Sequence, residues 1–214
     1  MKIERFKQER YSSKERVLRA FHRDVPDRVP INYFANAGID RRLKAAFGLQ
    51  PDDGEGLRQA LGVDFAGVGA NYAGPRLHPE IPGRGVCPMS GIRTQWIEHE
   101  SGGYWDFCDF PLKDADLETV ENWPLPSPDD FAYTGIKQRC LDAGNRAIHV
   151  GGPGLGDVIN SSGFLRGTEQ VLVDLITDDP AGLRLIQRRA DLWLEVTRRS
   201  LEAAEGLVDF VWLG

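Results

Sequence analysis

Four short apolar runs, at residues 31–34, 63–70, 147–150 and 208–213, are separated by stretches whose apolar residues recur at helical spacing. This alternation constrains the chain more than any other feature. Strands separated by helices pair in parallel, because a crossover carries the chain back to the starting end, and a parallel sheet needs helices over its faces. The sequence therefore predicts an α/β fold, either a small doubly wound sheet or part of a larger closed one.

The local signals support this order. Ser12, Ser13, Lys14 and Glu15 form a capping-box pattern, and Val17, Leu18 and Phe21 supply the stripe of a helix over residues 13–22. Pro26 and Pro30 then bracket a turn, and Ile31, Asn32, Tyr33 and Phe34 have the content of a buried first strand. Ile39, Leu43 and Phe47 mark the next helix, which Gly48 closes. A second strand is expected at residues 63–70 and a third at 147–150 after a helix marked by Ile136, Cys140 and Leu141. Helices over residues 168–176 and 180–204 lead to a fourth strand at 208–213.

Residues 71–123 differ in character. Proline and glycine become dense, and residues 92–99 and 104–108 flank Ser101, Gly102 and Gly103 as the arms of a β-hairpin. This segment reads as an insertion on the rim of the sheet, followed by a stiff extended connection at 121–130. Trp96, Trp105 and Trp123 are expected to pack the insertion down. Nothing in the composition marks a linker, so residues 1–214 read as one domain.

Charge and cysteine usage narrow the function classes. Lys and Arg number 26 against 32 Asp and Glu, and the basic residues are scattered, which argues against a nucleic-acid partner. No stretch reaches the roughly 20 apolar residues of a membrane span, and the first residues have no signal-peptide core, so the reading is cytoplasmic with no membrane partner. Cys87, Cys108 and Cys140 lack the close ligand pairs of a zinc site and read as reduced structural thiols. No cofactor fingerprint is found; the glycine cluster at residues 151–156 has the wrong spacing for a dinucleotide, and its Pro153 removes a donor.

Several stretches resemble, in order, those of the uroporphyrinogen decarboxylase family, which also contains corrinoid-dependent methyltransferases. They are Ser-Lys-Glu-Arg-Val-Leu-Arg-Ala-Phe at 13–21, Pro-Asp-Arg-Val-Pro-Ile at 26–31, and the hairpin running into Asp-Phe-Pro-Leu-Lys-Asp-Ala-Asp-Leu-Glu-Thr-Val-Glu-Asn-Trp-Pro at 109–124. Gly-Gly-Pro-Gly at 151–154, Gly-Phe-Leu-Arg-Gly-Thr-Glu at 163–169 and Val-Asp-Phe-Val-Trp-Leu-Gly at 208–214 complete the set. The resemblance implies the N-terminal portion of a (β/α)8 TIM barrel with a hairpin insertion, one incomplete domain truncated after about four barrel strands. Open sheet edges in such a piece would favour self-association.

The family activity is decarboxylation of porphyrinogen carboxylates, and the resemblance says where its residues should stand. Two substrate-binding arginines map onto Ala35 and Ile39, a charge-stabilising aspartate onto Asn71, and a tyrosine onto Phe164. Guanidinium groups are the usual partners of carboxylates, so their replacement argues for a different small-molecule substrate. Barrel sites lie at the C-terminal ends of strands, which makes Asn71 and Asp157 the candidate catalytic groups. Asn36, Gly38, Tyr72, His149 and Gly152 are the candidate substrate contacts. Three readings stay open: a family enzyme, which if active is a carboxy-lyase on another small molecule, a corrinoid-dependent methyltransferase component, and a non-catalytic incomplete barrel.

Overall fold

The computed structural model describes residues 9–100, 102–151 and 157–213. The elements run α1 (Ser13–Phe21), α2 (Ala37–Phe47), α3 (Gly54–Leu61), β1 (Phe65–Val68), β2 (Asn71–Tyr72), β3 (Gly85–Val86), β4 (Arg93–His99), β5 (Gly102–Phe107) and α4 (Leu117–Asn122). A 3-10 turn (Pro128–Asp130), β6 (Phe131–Ala132), α5 (Ile136–Asp142), β7 (Ala147–Gly151), α6 (Val158–Arg166), α7 (Thr168–Thr177), α8 (Pro180–Ala203) and β8 (Phe210–Trp212) complete the order. The chain is a mixed α/β protein with small sheets, ordered β1-β7-β8, β2-β6 and β3-β4-β5. It divides into two compact units, one holding residues 9–68, 138–149 and 207–210 and the other 69–137, 157–206 and 211–213 together with 150–151.

The first unit is organised around one buried carboxylate. Asp64, which has no exposed surface, accepts from Arg16 Nη1 at 2.7 Å, from Arg28 Nη1 at 2.6 Å and from the Ile31 amide at 2.8 Å. Arg16 also donates through Nε to Asp27 at 2.7 Å and through Nη2 to the Tyr11 carbonyl at 2.8 Å. These bonds clamp α1, the 27–31 turn and the entry to β1. Main-chain bonds carry the order into the sheet: Ala147 N–H donates to Asp64 O at 2.9 Å, and Asp209 N–H to Ile148 O at 2.8 Å. The Asp209 side chain returns the Ile148 amide's bond at 2.8 Å and pairs with Lys14 Nζ at 2.7 Å. The expected capping box is present, with Ser12 and Glu15 each taking the other's amide.

Residues 31–34 form no strand, contrary to the expectation from their composition. The hydrogen bonding explains the difference. Ile31 spends its amide on the Asp64 carboxylate, and Tyr33 spends its amide on the Asn32 side chain at 2.8 Å. Side chains have taken these amides, Asn32 locally and Asp64 from 33 positions away, although the Ile31 carbonyl still accepts from Asp64 N–H at 2.8 Å. Helix α3, capped by Asp53, was not anticipated, because its two glycines disguise the pattern.

The second unit has two apolar clusters. Leu112, Val120, Leu165, Ala181 and Leu185 form one, with Ile92, Ala115 and Trp123 against it. Phe131, Leu192 and Val196 form the other, with Tyr72, Met89 and Trp193 against it. The hairpin is as expected, its arms in the register Trp96↔Trp105, with β3 added as a third antiparallel strand. Trp96 and Trp105 do not pack it down. They are half exposed and meet each other edge to face, with ring centres 5.7 Å apart. Trp123 does pack inward, donating its Nε1–H to Ser90 O at 3.0 Å. Residues 121–122, expected as extended, close the short helix α4, whose first turn Asp116 caps.

Arg166 ties this unit together. Its Nε meets Asp174 at 2.5 Å, Nη1 reaches the carbonyls of Leu112 and Ala115 at 3.0 and 2.8 Å, and Nη2 reaches Asp179 at 3.1 Å. Asp179 in turn caps α8 by accepting from the amides of Ala181 and Gly182. Gly182 has a specific reason to lack a side chain. A Cβ there would stand 2.1 Å from Asp174 Oδ2 and 2.4 Å from its Cγ.

Three outcomes are expected. Gly182→Ala should lower stability in urea titration by about 1–3 kcal/mol, because overpacking against Asp174 outweighs the gain of up to ~1 kcal/mol from helix propensity. Asp64→Ala, which strands two guanidinium groups, should cost about 3–5 kcal/mol in the same titration. Acid should act through the same cluster. Burial alone would raise the Asp64 carboxyl, but the bonds from Arg28 and the Ile31 amide outweigh it and hold it below its usual value. The Arg16 guanidinium holds Asp27 lower still. Both carboxylates are depressed in the fold, so their contribution is complete above the unfolded value near ~4 and fades as pH falls below it. Thermal melts from pH 7 down to 2 should show a midpoint that drops below about pH 4, with a shallower drop in Asp27→Asn.

Candidate functional site

Within the first unit, a pocket of about 280 Å³ is lined by Asn32, Tyr33, Phe34, Glu55, Arg58, Phe65, Ala66, Gly67, Arg146 and His149. It follows from the clamp on Asp64. Ile31 is held to Asp64, and the residues after it, Asn32, Tyr33 and Phe34, line the pocket together with the β1 residues Phe65, Ala66 and Gly67.

His149 on β7 is buried, and its ring stacks on Phe210 with centres 5.4 Å apart. Gly67 makes room for it, since a Cβ there would come within 3.2 Å of His149 Cε1. Arg146 is held by Glu55, with Nη2 to Oε1 at 2.9 Å and Nη1 to Oε2 at 3.1 Å, so its charge is matched. Arg58 Nη1 donates to the Gly54 carbonyl at 3.2 Å on its own helix. The Tyr33 hydroxyl donates to Asp40 at 3.2 Å, and burial followed by that carboxylate pushes its pKa up. Asp40 is itself held low, first by Lys44. The pocket thus offers an imidazole, one matched guanidinium and a second, Arg58, whose bond is to a carbonyl.

The structure places the candidate residues as follows. His149 lines this pocket. Asn36 and Gly38 belong to the same unit but not to the lining; Asn36 caps α2 by accepting from the Ile39 amide at 2.9 Å, and Gly38 lies in the first turn beside it. Asn71, Tyr72 and Asp157 fall in the second unit. Asn71 and Tyr72 form β2, opposite Ala132 and Phe131. The Tyr72 hydroxyl donates to Pro75 O at 2.5 Å, and its ring meets Phe131 edge to face at 5.5 Å. Asp157 caps α6 by accepting from the Asn160 amide at 3.0 Å. Gly152 lies outside the described residues.

Capping thus accounts for the polar side chains of Asn36 and Asp157. Reading the sequence missed Tyr33, Arg58 and Arg146 as pocket residues. Arg146 reaches the pocket through Glu55, which is 91 positions away, and no local pattern shows such a pairing. Ala35 and Ile39 are exposed and bring no cation, while Phe164 stacks flat on Phe107 with centres 3.6 Å apart.

The three cysteines are free. Cys108 and Cys140 are buried, and burial pushes both thiols up, which favours the unreactive protonated form. Among the described residues no group of three or more His, Cys, Asp or Glu side chains could hold a metal ion, and no helix is long and apolar enough to cross a membrane. No protein-family model matches the chain, and neither a curated protein nor a solved structure does so.

Proposed function

We propose that this is a uroporphyrinogen decarboxylase-like barrel protein whose substrate is a small carboxylated or methylated organic molecule other than uroporphyrinogen. The observation that carries the reading is the scale and charge of the His149 pocket. A porphyrinogen bearing eight carboxylates needs several cations and a wide cleft, whereas this pocket encloses about 280 Å³ and has a single guanidinium, Arg58, without a bidentate carboxylate partner. The order of the motifs supports the family, as do the helices that intervene between β1, β7 and β8.

The chemistry available is carboxylate capture and proton movement. Arg58 pairs with the substrate carboxylate, Tyr33 and Asn32 orient it, and His149 carries the proton exchanged as a bond to carbon is made or broken. Ring stacking on Phe210 fixes the plane of that imidazole. The same reading takes β8, last in the order β1-β7-β8, with Val211 in it and Leu213 after it exposed, as an edge for self-association.

Uroporphyrinogen offered to the protein should be decarboxylated negligibly. Turnover by the unmodified protein at the rate of a genuine decarboxylase would refute the reading. On its own substrate, found by screening small carboxylic acids for a thermal shift, His149→Ala should lower kcat about 10²-fold or more with little change in that shift.

A further inference from the structure

Helix α8 turns Ala181, Gly182, Leu185, Arg189, Leu192, Val196 and Ser200 inward. An arginine at the centre of such a stripe is unexpected. Arg189 is only 4% exposed, and its Nη2 donates to Ser161 Oγ at 2.7 Å. Among the described residues no carboxylate pairs with it, and its Nε–H is buried without an acceptor. One turn later, the Nε1–H of Trp193 is also buried without an acceptor. These are the only two buried side-chain nitrogen or oxygen atoms among the described residues that lack a partner.

The contrast with the other inward-facing arginines is sharp. Arg16 and Arg166 are as deeply buried, and each meets two aspartates at hydrogen-bond distance. Burial pulls Arg189 down to about 10, with Cys87 acting weakly the other way, so it still carries its charge at neutral pH. A buried cation left unmatched is costly, and an apolar residue in its place is often stabilising. Two orphan donors four residues apart on one helix, one of them charged, are what an anion would complement.

We propose that Arg189 and Trp193 bind the carboxylate of a small apolar organic acid. Charge balance selects the class: one guanidinium matches one monovalent carboxylate, and its planar fork suits that group, whereas a phosphate dianion would leave buried negative charge. The apolar part is indicated by the surroundings. Trp193 borders a groove of about 640 Å³ whose wall includes Val158, Ala190, Leu194 and Leu201, with the charged Asp191 and Arg198 also on it, and the apolar part of the ligand would lie there. The Trp193 ring is fixed edge to face on Phe131, with centres 5.8 Å apart, so its N–H direction is set before any ligand arrives. This site lies in the second unit and does not depend on the barrel reading.

The test uses the whole chain, with benzoate as probe, sodium chloride at equal ionic strength as control, and inorganic phosphate as a competing class. Benzoate should raise the melting temperature by several degrees in a saturable way, and phosphate should act no differently from chloride. Arg189→Met should melt higher than the natural protein in chloride and lose the benzoate response, and Trp193→Phe should weaken binding about tenfold. Should Arg189→Met not fold, Arg189→Lys keeps the charge without the fork and should also bind benzoate more weakly. An unchanged benzoate response in Arg189→Met, or in Arg189→Lys if that variant is used, would overturn the proposal. So would a response to phosphate in place of benzoate, or no response by the natural protein.

Discussion

Two guanidinium groups and one main-chain amide converge on the carboxylate of Asp64, a residue with no exposed surface, and the first unit is arranged to make that convergence hold. Arg16 arrives from α1, Arg28 from the proline-bracketed turn, and the Ile31 amide from the segment that follows. A buried carboxylate is tolerable only when its lone pairs are met, so the three segments are fixed jointly rather than one at a time. The carbonyl of the same residue takes the Ala147 amide, which passes the constraint to β7. The His149 pocket lies downstream of this clamp, since residues 32–34, which follow the bound Ile31 directly, form part of its wall.

Much of the secondary structure was legible because its signals are local. The Ser12–Glu15 box, Gly48 after Phe47, Pro180 after Asp179 and the glycine-bearing hairpin turn each fall within a few residues, and the corresponding elements are present. Residues 31–34 show the limit of that reasoning. Their β-branched and aromatic content favours a strand, but the competing acceptor is the side chain of Asp64, 33 positions from Ile31, and composition carries no trace of it. Helices α3 and α6 were hidden for a different reason, their glycines and serines weakening the stripe that packing then restores.

The site was less legible than the fold. Polar residues beside turns served as candidates, yet capping uses the same residue types, and Asn36 and Asp157 are caps. His149 alternates with Ile148 and Val150 in the sequence, but all three are buried in β7, so the alternation does not set its face. Arg189 was not singled out at all. Its stripe of Leu185, Leu192 and Val196 looks like an ordinary core face, and only the lack of an acceptor for its Nε–H among the described residues makes the arginine informative.

The hairpin's paired tryptophans also give the molecule an optical signature. Trp96 and Trp105 face each other across the ladder with ring centres 5.7 Å apart and planes inclined at 68°. Indoles this close and this skewed share their excited states, so their ultraviolet transitions split into a coupled pair of opposite circular-dichroism sign. Trp123 and Trp193 meet other rings, those of His78 and Phe131. Loss of that couplet on heating or in denaturant therefore reports the opening of this one hairpin, separately from the helices that dominate the rest of the far-ultraviolet spectrum.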